Sequence, residues 1–466
     1  MPSTVPIRQK LAWALGSLGE NYASQLISAL VSPVYNIALG LPAALMAQAL
    51  AIPRFLDSFA EPAVGFLSDR TQSRWGRRRP FILAGALPLA VLGFFLWLPA
   101  PEWSQTRLAL YLGFITLGYY LAYAVFVVPY RALGLELSAD YNERTRVQGL
   151  GMLFGLIGGL GIPWLYKLCL FFGNVSASSG PDTAPMVLDG ARQVGAWAAL
   201  LIFVCCSAPA FFCRESARSQ NPLSLRNAVM ETLRNRPFRI MLLSRTFVLA
   251  ATFSTTTIYT PLLIHYLFGG DQDRASTLQG LAGNISFLGA ALGVPVHTFV
   301  SSKIGKRAAF LICVATAAVG TASQWFTFHQ AHPYRVLFSA FLFGVGIQGV
   351  WLMCQSMAAD VCDEDELRTG TRREGLYGAG YALVEKLGVT AGFSLAGLVA
   401  AGCGYSAGTP SPSTLQAMRL ALIAFPLLGF ALGALLILRY PLSQKRMSEI
   451  RSQLAPGSPA QPHSDS

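Results

Sequence analysis

Residues 69–80 read Asp-Arg-Thr-Gln-Ser-Arg-Trp-Gly-Arg-Arg-Arg-Pro, with Arg70, Arg74, Arg77, Arg78 and Arg79 packed into one short loop between the apolar runs 43–68 and 80–99. Either run is long enough to cross a hydrocarbon layer as a helix, which takes ~20 residues. A basic loop between two such runs marks the side of a bilayer where Lys and Arg accumulate. Outward from this loop the same rhythm continues, giving twelve apolar segments at roughly 11–39, 43–68, 80–99, 106–137, 147–172, 192–213, 237–268, 277–301, 308–328, 334–361, 375–402 and 415–439. The connection after the fourth carries Arg144 and Arg146, that after the eighth Lys303, Lys306 and Arg307, and that after the tenth Arg368, Arg372 and Arg373. The odd connections are nearly bare: Ala-Leu-Gly-Leu-Pro after the first has no charge, and residues 269–276 hold one arginine. The alternation predicts an all-helical, multi-pass protein of the cell membrane, with twelve crossings and both termini cytoplasmic.

Composition agrees. Hydrophobic residues make up 53% of the 466, charged residues 12%, and mean hydropathy is +0.46. A soluble domain spends about 25% on charge, so a water-facing surface would be undersupplied. The net charge of +12 lies in short loops between apolar runs, which argues against nucleic acid as a partner and for the bilayer. The eight cysteines fall mostly in or beside apolar stretches, without the paired spacing of a metal site. The first ten residues run into the first apolar segment with no small-residue cleavage site, which reads as a signal anchor.

The chain also repeats itself. Ser73-Arg-Trp-Gly-Arg-Arg-Arg-Pro-Phe-Ile lines up with Ser302-Lys-Ile-Gly-Lys-Arg-Ala-Ala-Phe-Leu, each between the second and third segments of its half. Ala139-Asp140 and Ala359-Asp360 close the fourth segment of each half. The expected organisation is a six-helix half over 1–213, a central cytoplasmic loop over 214–236 with a short surface helix, a second half over 237–440, and a disordered tail over 441–466. Two parallel six-helix halves with a mid-membrane site between them form the major facilitator arrangement.

Ionisable side chains inside such helices are expensive, so they locate function. Arg54, Asp57 and Glu61 in the second segment fall on one helical face at spacings of three and four. Two acids one turn apart can hold a sodium ion or share a proton; the competing reading is an internal Arg54–Asp57 salt bridge. Arg131 in Val128-Pro-Tyr-Arg-Ala-Leu133 can grip hydroxyls or a carboxylate with its planar fork; against this stand snorkelling and a pair with Glu136. Glu385 and Lys386 point about 100° apart on a helix, and Lys386 needs an anion, for which Asp57 and Glu61 are the candidates. Asn21 and Gln25 share a face beside Glu20 and suit a polyol, or else a helix-to-helix hydrogen bond. Arg245, Asn284, Gln348 and Gln355 are weaker candidates of that kind, and most aromatic residues, Trp164 and Trp351 included, read as packing or interface residues. Asp69 and Arg70, at the edge of the arginine loop, read as groups that pair across the halves when the cytoplasmic side closes. No phosphate loop, nucleophile–base pair or metal-ligand spacing occurs, so no catalytic residue, metal or cofactor is expected beyond a coupling ion, H+ or Na+.

Three stretches, Arg54-Phe-Leu-Asp through Phe81, Pro129-Tyr-Arg-Ala-Leu through Arg146, and Asp363-Glu-Asp-Glu-Leu through Gly378, resemble the glycoside-pentoside-hexuronide:cation symporters, the melibiose-carrier branch of the major facilitator superfamily. The resemblance spans both halves. It implies that Asp57 and Glu61 bind the coupling cation, although the family's second acid is usually Asp, and that Lys386 is the family's helix-eleven lysine. The family's sugar-binding aspartates of helices one and four are replaced by Asn21 and Val127. The Pro-x-Arg-Ala-Leu run containing Arg131 looks like the sucrose:proton symporters, in which this arginine is needed for substrate. The resulting expectation is a monomeric cation-coupled importer of a glycoside or disaccharide, with proton coupling favoured over sodium. A carboxylate solute such as a hexuronide is the second reading, suited by the lost aspartates and Arg131. A lysophospholipid, carried by animal relatives of the family, is the third; a receptor without transport has little use for Asp57, Glu61 and Lys386.

Overall fold

The computed structural model describes residues 5–71, 73–138, 140–175, 183–215, 234–370 and 373–454. Its helices are α1 (Ile7–Val31), α2 (Ala43–Arg70), α3 (Arg79–Phe95), α4 (Gln105–Glu136), α5 (Tyr141–Gly161), α6 (Leu165–Phe172), α7 (Ala184–Phe212), α8 (Arg236–Phe253), α9 (Thr256–Pro261), α10 (Gln272–Ile304), α11 (Lys306–Thr327), α12 (Val336–Thr369), α13 (Glu374–Gly402), α14 (Pro412–Ile437) and α15 (Gln444–Leu454). A 3-10 turn at Ile162–Trp164 joins α5 to α6, and α9 follows α8 with only Ser254 and Thr255 between them. Taken as continuous rods, these pairs and the remaining helices up to α14 make twelve among the described residues. Nine of the rods are long and apolar enough to cross a membrane. The other three are α3, which is apolar but has 17 residues, and α1 and α2, which carry Glu20, Asn21, Arg54, Asp57 and Glu61.

The outward surfaces are apolar, with Phe59, Phe114, Met152, Phe326 and Leu398 exposed. Water would not tolerate that coat, whereas hydrocarbon requires it, and a helix satisfies its own backbone there. Inside the bundle the packing follows one scheme used twice. In the first set α1 packs on α5 and α7, and α3 and α4 pack together while α4 also meets α2 and α3 meets α7. In the second set α8 packs on α13 and α14, α12 meets α10 and α11, and α11 meets α14. Each pairing recurs six rods later. Between the sets, α2 packs against α13, and the α5–α6 rod against α10.

Local irregularities repeat as well. Each set's first rod ends in a π-helical stretch, Ser32–Ala38 and Leu262–Leu267. Pro33 and Pro261 lie at their starts, where a missing N–H breaks the regular ladder. The loop turns of the two aligned motifs pivot on Gly76 (φ 104°) and Gly305 (φ 83°), a backbone that a side chain rarely adopts. Lys306, aligned with Arg77, pairs at 2.7 Å with Asp360 of α12.

One expectation changes here. The tail from 441 is not wholly disordered: α15 buries Met447 and Ile450 against α12 and its neighbours. Apolar residues at spacing three on an otherwise charged helix supply that face. Of the central loop, residues 216–233, including the stretch expected to form a surface helix, lie outside the described residues. Packing between α6 and α7 yields a first prediction. A Cβ at Gly190 would stand 1.8 Å from the carbonyl oxygen of Cys169, a backbone atom that can yield only by separating the helices. Gly190→Ala is therefore expected to cost about 1–3 kcal/mol and to lower the thermal unfolding midpoint in detergent; an unchanged midpoint would contradict this packing.

Candidate functional site

The two mid-helix acids of α2 meet α13 near the middle of both helices. Lys386 Nζ lies 2.6 Å from Asp57 Oδ2 and 2.9 Å from Glu61 Oε1, one ammonium bridging two carboxylates. Asp57 is 1% exposed, and its other oxygen, Oδ1, is buried without a hydrogen-bond partner. The i,i+3 salt bridge within α2 does not form. The Arg54 guanidinium lies over the Tyr120 ring at 4.5 Å, and the Asp57 carboxylate turns to α13 instead. A buried carboxylate finds the better partner in an ammonium that also has Glu61 to satisfy it.

Arg131 does not pair with Glu136. Glu136 binds Arg77 at 2.9 Å and Arg78 at 2.8 Å at the arginine-rich end. Arg131 reaches α1, where Nε and Nη2 both donate to Glu20 Oε1, at 2.8 and 2.5 Å. Its side chain remains 62% exposed although it points among the helices, so it borders an open interior. Next to it, Tyr130 stacks on Trp13 and donates to the Trp13 carbonyl at 2.8 Å. That contact fixes the rotation of α4 and thereby the direction of Arg131. Asn21 and Gln25 bond one another at 2.7 Å, using one donor and one acceptor and leaving the rest of both amides for other partners.

Glu385, one residue before Lys386, turns the other way. It faces α8, where Arg245 Nη2 lies 2.9 Å from its Oε2. Arg245 is held between the rings of Trp351 (4.5 Å) and Tyr381 (4.0 Å). Sequence reading marked Arg245 only as a weak hydrogen-bonding candidate. An arginine ten residues into an apolar rod demands an acid, and Glu385 and Glu20 were mid-helix acids without an assigned partner; that signal narrowed the choice. Asn284 joins Leu160 and Trp164, each at 2.9 Å when its amide is oriented to satisfy both, so it serves helix packing. Gln348 is half-buried and Gln355 exposed.

At the arginine-rich end, Arg70 lies over Phe66 of its own helix at 3.7 Å and makes no cross-set pair among the described residues. The side chain of Asp69 lies outside what is described. Glu215, which no motif marks out, accepts from the backbone N–H groups of Arg77, Arg78 and Arg79 at 2.6, 2.8 and 2.8 Å. An acid at the exposed amides of α3 satisfies its first turn. The opposite ends of the two sets are tied together. Asn36 donates to the Ser406 carbonyl at 2.8 Å and accepts from the Tyr405 hydroxyl at 2.7 Å. Lys167 pairs with Asp273, and Tyr166 donates to Gln272 at 2.9 Å.

Comparison with known proteins bears on the family and the fold. A family profile described as MFS/sugar transport protein matches residues 12–444. A glucuronide carrier protein homolog of Escherichia coli is 26% identical, covering 95% of this chain and 96% of its own length. An isoprimeverose transporter of Lactiplantibacillus pentosus is 25% identical over 94% of this chain and 89% of its own. Among solved structures, a nucleoside transporter superposes with a TM-score of 0.65 at 12% identity, over 92% of this chain and 99% of that one, which is a likeness of fold.

Proposed function

The chain belongs to the MFS/sugar transport protein family, and we propose that this multi-pass membrane transporter is a symporter that couples a cation, H+ or Na+, to the import of an uncharged sugar or glycoside. The observation that carries the reading is Lys386 lodged between Asp57 and Glu61. An ammonium in that place is a stand-in for a coupling cation: one arriving between the acids must displace it, and its release frees α13 from α2. The solute then binds between the sets, near Asn21, Gln25 and Arg131, and one set rocks against the other. Relatives that carry a glucuronide and isoprimeverose by name support a sugar-like solute.

The two sets act as halves, 1–213 and 237–440, linked through 214–236, a division supported by packing that recurs six rods on. All twelve rods cross the cell membrane, with both termini and the arginine loops cytoplasmic, and the unit is a monomer. On that orientation the ties at Asn36, Tyr405, Lys167 and Asp273 close the outside, and the open interior beside Arg131 faces the cytoplasm. Arg54, Asp69 and Arg70 act in the transition, when the cytoplasmic ends come together.

The test is electrogenic uptake into proteoliposomes with sucrose, melibiose, isoprimeverose and a glucuronide, each under a proton gradient, a sodium gradient or none. A sugar-evoked current dependent on one gradient is expected and names the ion. A response to the glucuronide alone would move the solute to the carboxylate class, and silence for all four would overturn the reading.

A further inference from the structure

We propose that Glu385, held by Arg245, is the anchor of the solute on the second set of helices, accepting hydroxyls from an uncharged glycoside and disfavouring anionic ones. The proposal rests on the symport reading above and adds the residue that selects the solute. Arg131 and Asn21 lie on the first set. A solute bound between two moving halves needs a partner on each, or its binding energy cannot tell one conformation from another.

The Arg245–Glu385 pair is lopsided, with the acid as its open member. Arg245 is 2% exposed, whereas Glu385 is 28% exposed. The cation is thus sealed in the wall, while the carboxylate opens to the interior. The rings of Trp351 and Tyr381 clamp the guanidinium from two sides, so Arg245 fixes the position of Glu385 without itself meeting solute. The polar atoms around the pair are not all satisfied. Arg245 Nη1 and the Tyr381 hydroxyl are buried without hydrogen-bond partners. Leaving such donors unmet is costly, and the Tyr381 hydroxyl, one turn before Glu385, marks where an incoming oxygen is welcome. Glu385 is also within electrostatic reach of Arg131 and Glu61, which belong to the first set, so it faces the same interior from the other side.

Charge decides the class of solute. Around this interior stand the acids Glu20, Asp57, Glu61 and Glu385 and the bases Arg54, Arg131, Arg245 and Lys386, which balance. A carboxylate accepts two hydroxyls of a sugar without disturbing that balance. A sugar acid brings a negative charge towards Glu385, in surroundings where screening by water is weak. Removing the charge while keeping the shape should therefore change which solute is preferred as well as how tightly it binds.

The experiment compares the wild type with Glu385→Gln in proteoliposomes, measuring KM and maximal rate for the best glycoside of the sucrose, melibiose and isoprimeverose panel and for a glucuronide. Glu385→Gln is expected to raise KM for the glycoside about tenfold or more, since hydrogen bonds to a charged group are the strong ones, and to shift the glycoside-to-glucuronide ratio towards the glucuronide. Arg245→Met should raise KM in the same way, with Arg245→Lys recovering part of it, and Tyr381→Phe, which loses only a hydroxyl, should raise it a few-fold. If Glu385→Gln is not recovered folded, the Tyr381→Phe and Arg245→Lys values carry the test, and wild-type KM in both overturns the proposal. An unchanged KM and unchanged ratio in Glu385→Gln also overturn it, while the symport reading stands. No glycoside transport by the wild type under any gradient removes both.

Discussion

Asp57→Asn abolishes uphill accumulation of solute, leaving an inside-to-outside ratio near one where the wild type, driven by 100 mV, reaches up to about 50-fold for one coupled charge (~2.3 kcal/mol). The expectation follows from the geometry at Lys386. In the wild type the ammonium is shared by two carboxylates, at 2.6 and 2.9 Å, and a coupling cation takes its place. With Asn at 57, Lys386 keeps Glu61 alone, and no second negative charge remains to attract a cation once that pair has formed. Binding of solute and its downhill exchange need not be lost, because Arg131 and Glu385 lie elsewhere. The measurement is therefore paired: gradient-driven uptake, which should vanish, and exchange of labelled for unlabelled solute, which should persist. Normal gradient-driven uptake by Asp57→Asn would remove the cation site from these two residues.

How far the sequence discloses this arrangement depends on what each residue's partner is fixed by. The rods were legible because apolar length is a property of one segment: the runs at 43–68 and 308–328 lie within two residues of α2 and α11 at both ends. The meeting of Lys386 with Asp57 and Glu61 was legible because all three lie at mid-depth, where charge must find charge. Partners that depend on the rotation of a helix were not. For Arg131 the ion-pair partner considered beside a solute was Glu136, a neighbour on its own helix, but it turns to Glu20 on α1. In lipid both faces of a rod are apolar, so periodicity does not state which face meets which neighbour. The rotation of α4 is set by Tyr130 against Trp13 and Ser17, contacts between segments 113 to 117 residues apart. Ends of helices were misread for a related reason: α12 continues to Thr369, beyond the apolar run that closes at 361, because acids and arginines support a helix in water as well as alanines do in lipid. The tail looked unstructured by composition, yet Met447 and Ile450 suffice to dock one short helix.

Arg131→Ala should reduce solute affinity at least a hundredfold, the largest loss expected from a residue of the solute site. Two charge-assisted donors of one guanidinium now meet one oxygen of Glu20, at 2.8 and 2.5 Å, and a solute oxygen arriving in the interior competes for the same fork. Each such bond is worth about 1.5–3 kcal/mol, so losing two exceeds a factor of a hundred. Arg131→Lys should not restore binding, because a point charge lacks the planar pair of donors. Glu20→Gln provides the opposite test. It frees the fork without removing it, so the competition weakens and solute affinity should rise. A structural role for the pair predicts otherwise, since both Arg131→Ala and Glu20→Gln would then lower the thermal unfolding midpoint and leave affinity alone. Solute binding measured by calorimetry in detergent, alongside those midpoints, separates the two: opposite signs of affinity change in the two variants assign Arg131 to the solute, and wild-type affinity in both returns the pair to holding α1 against α4.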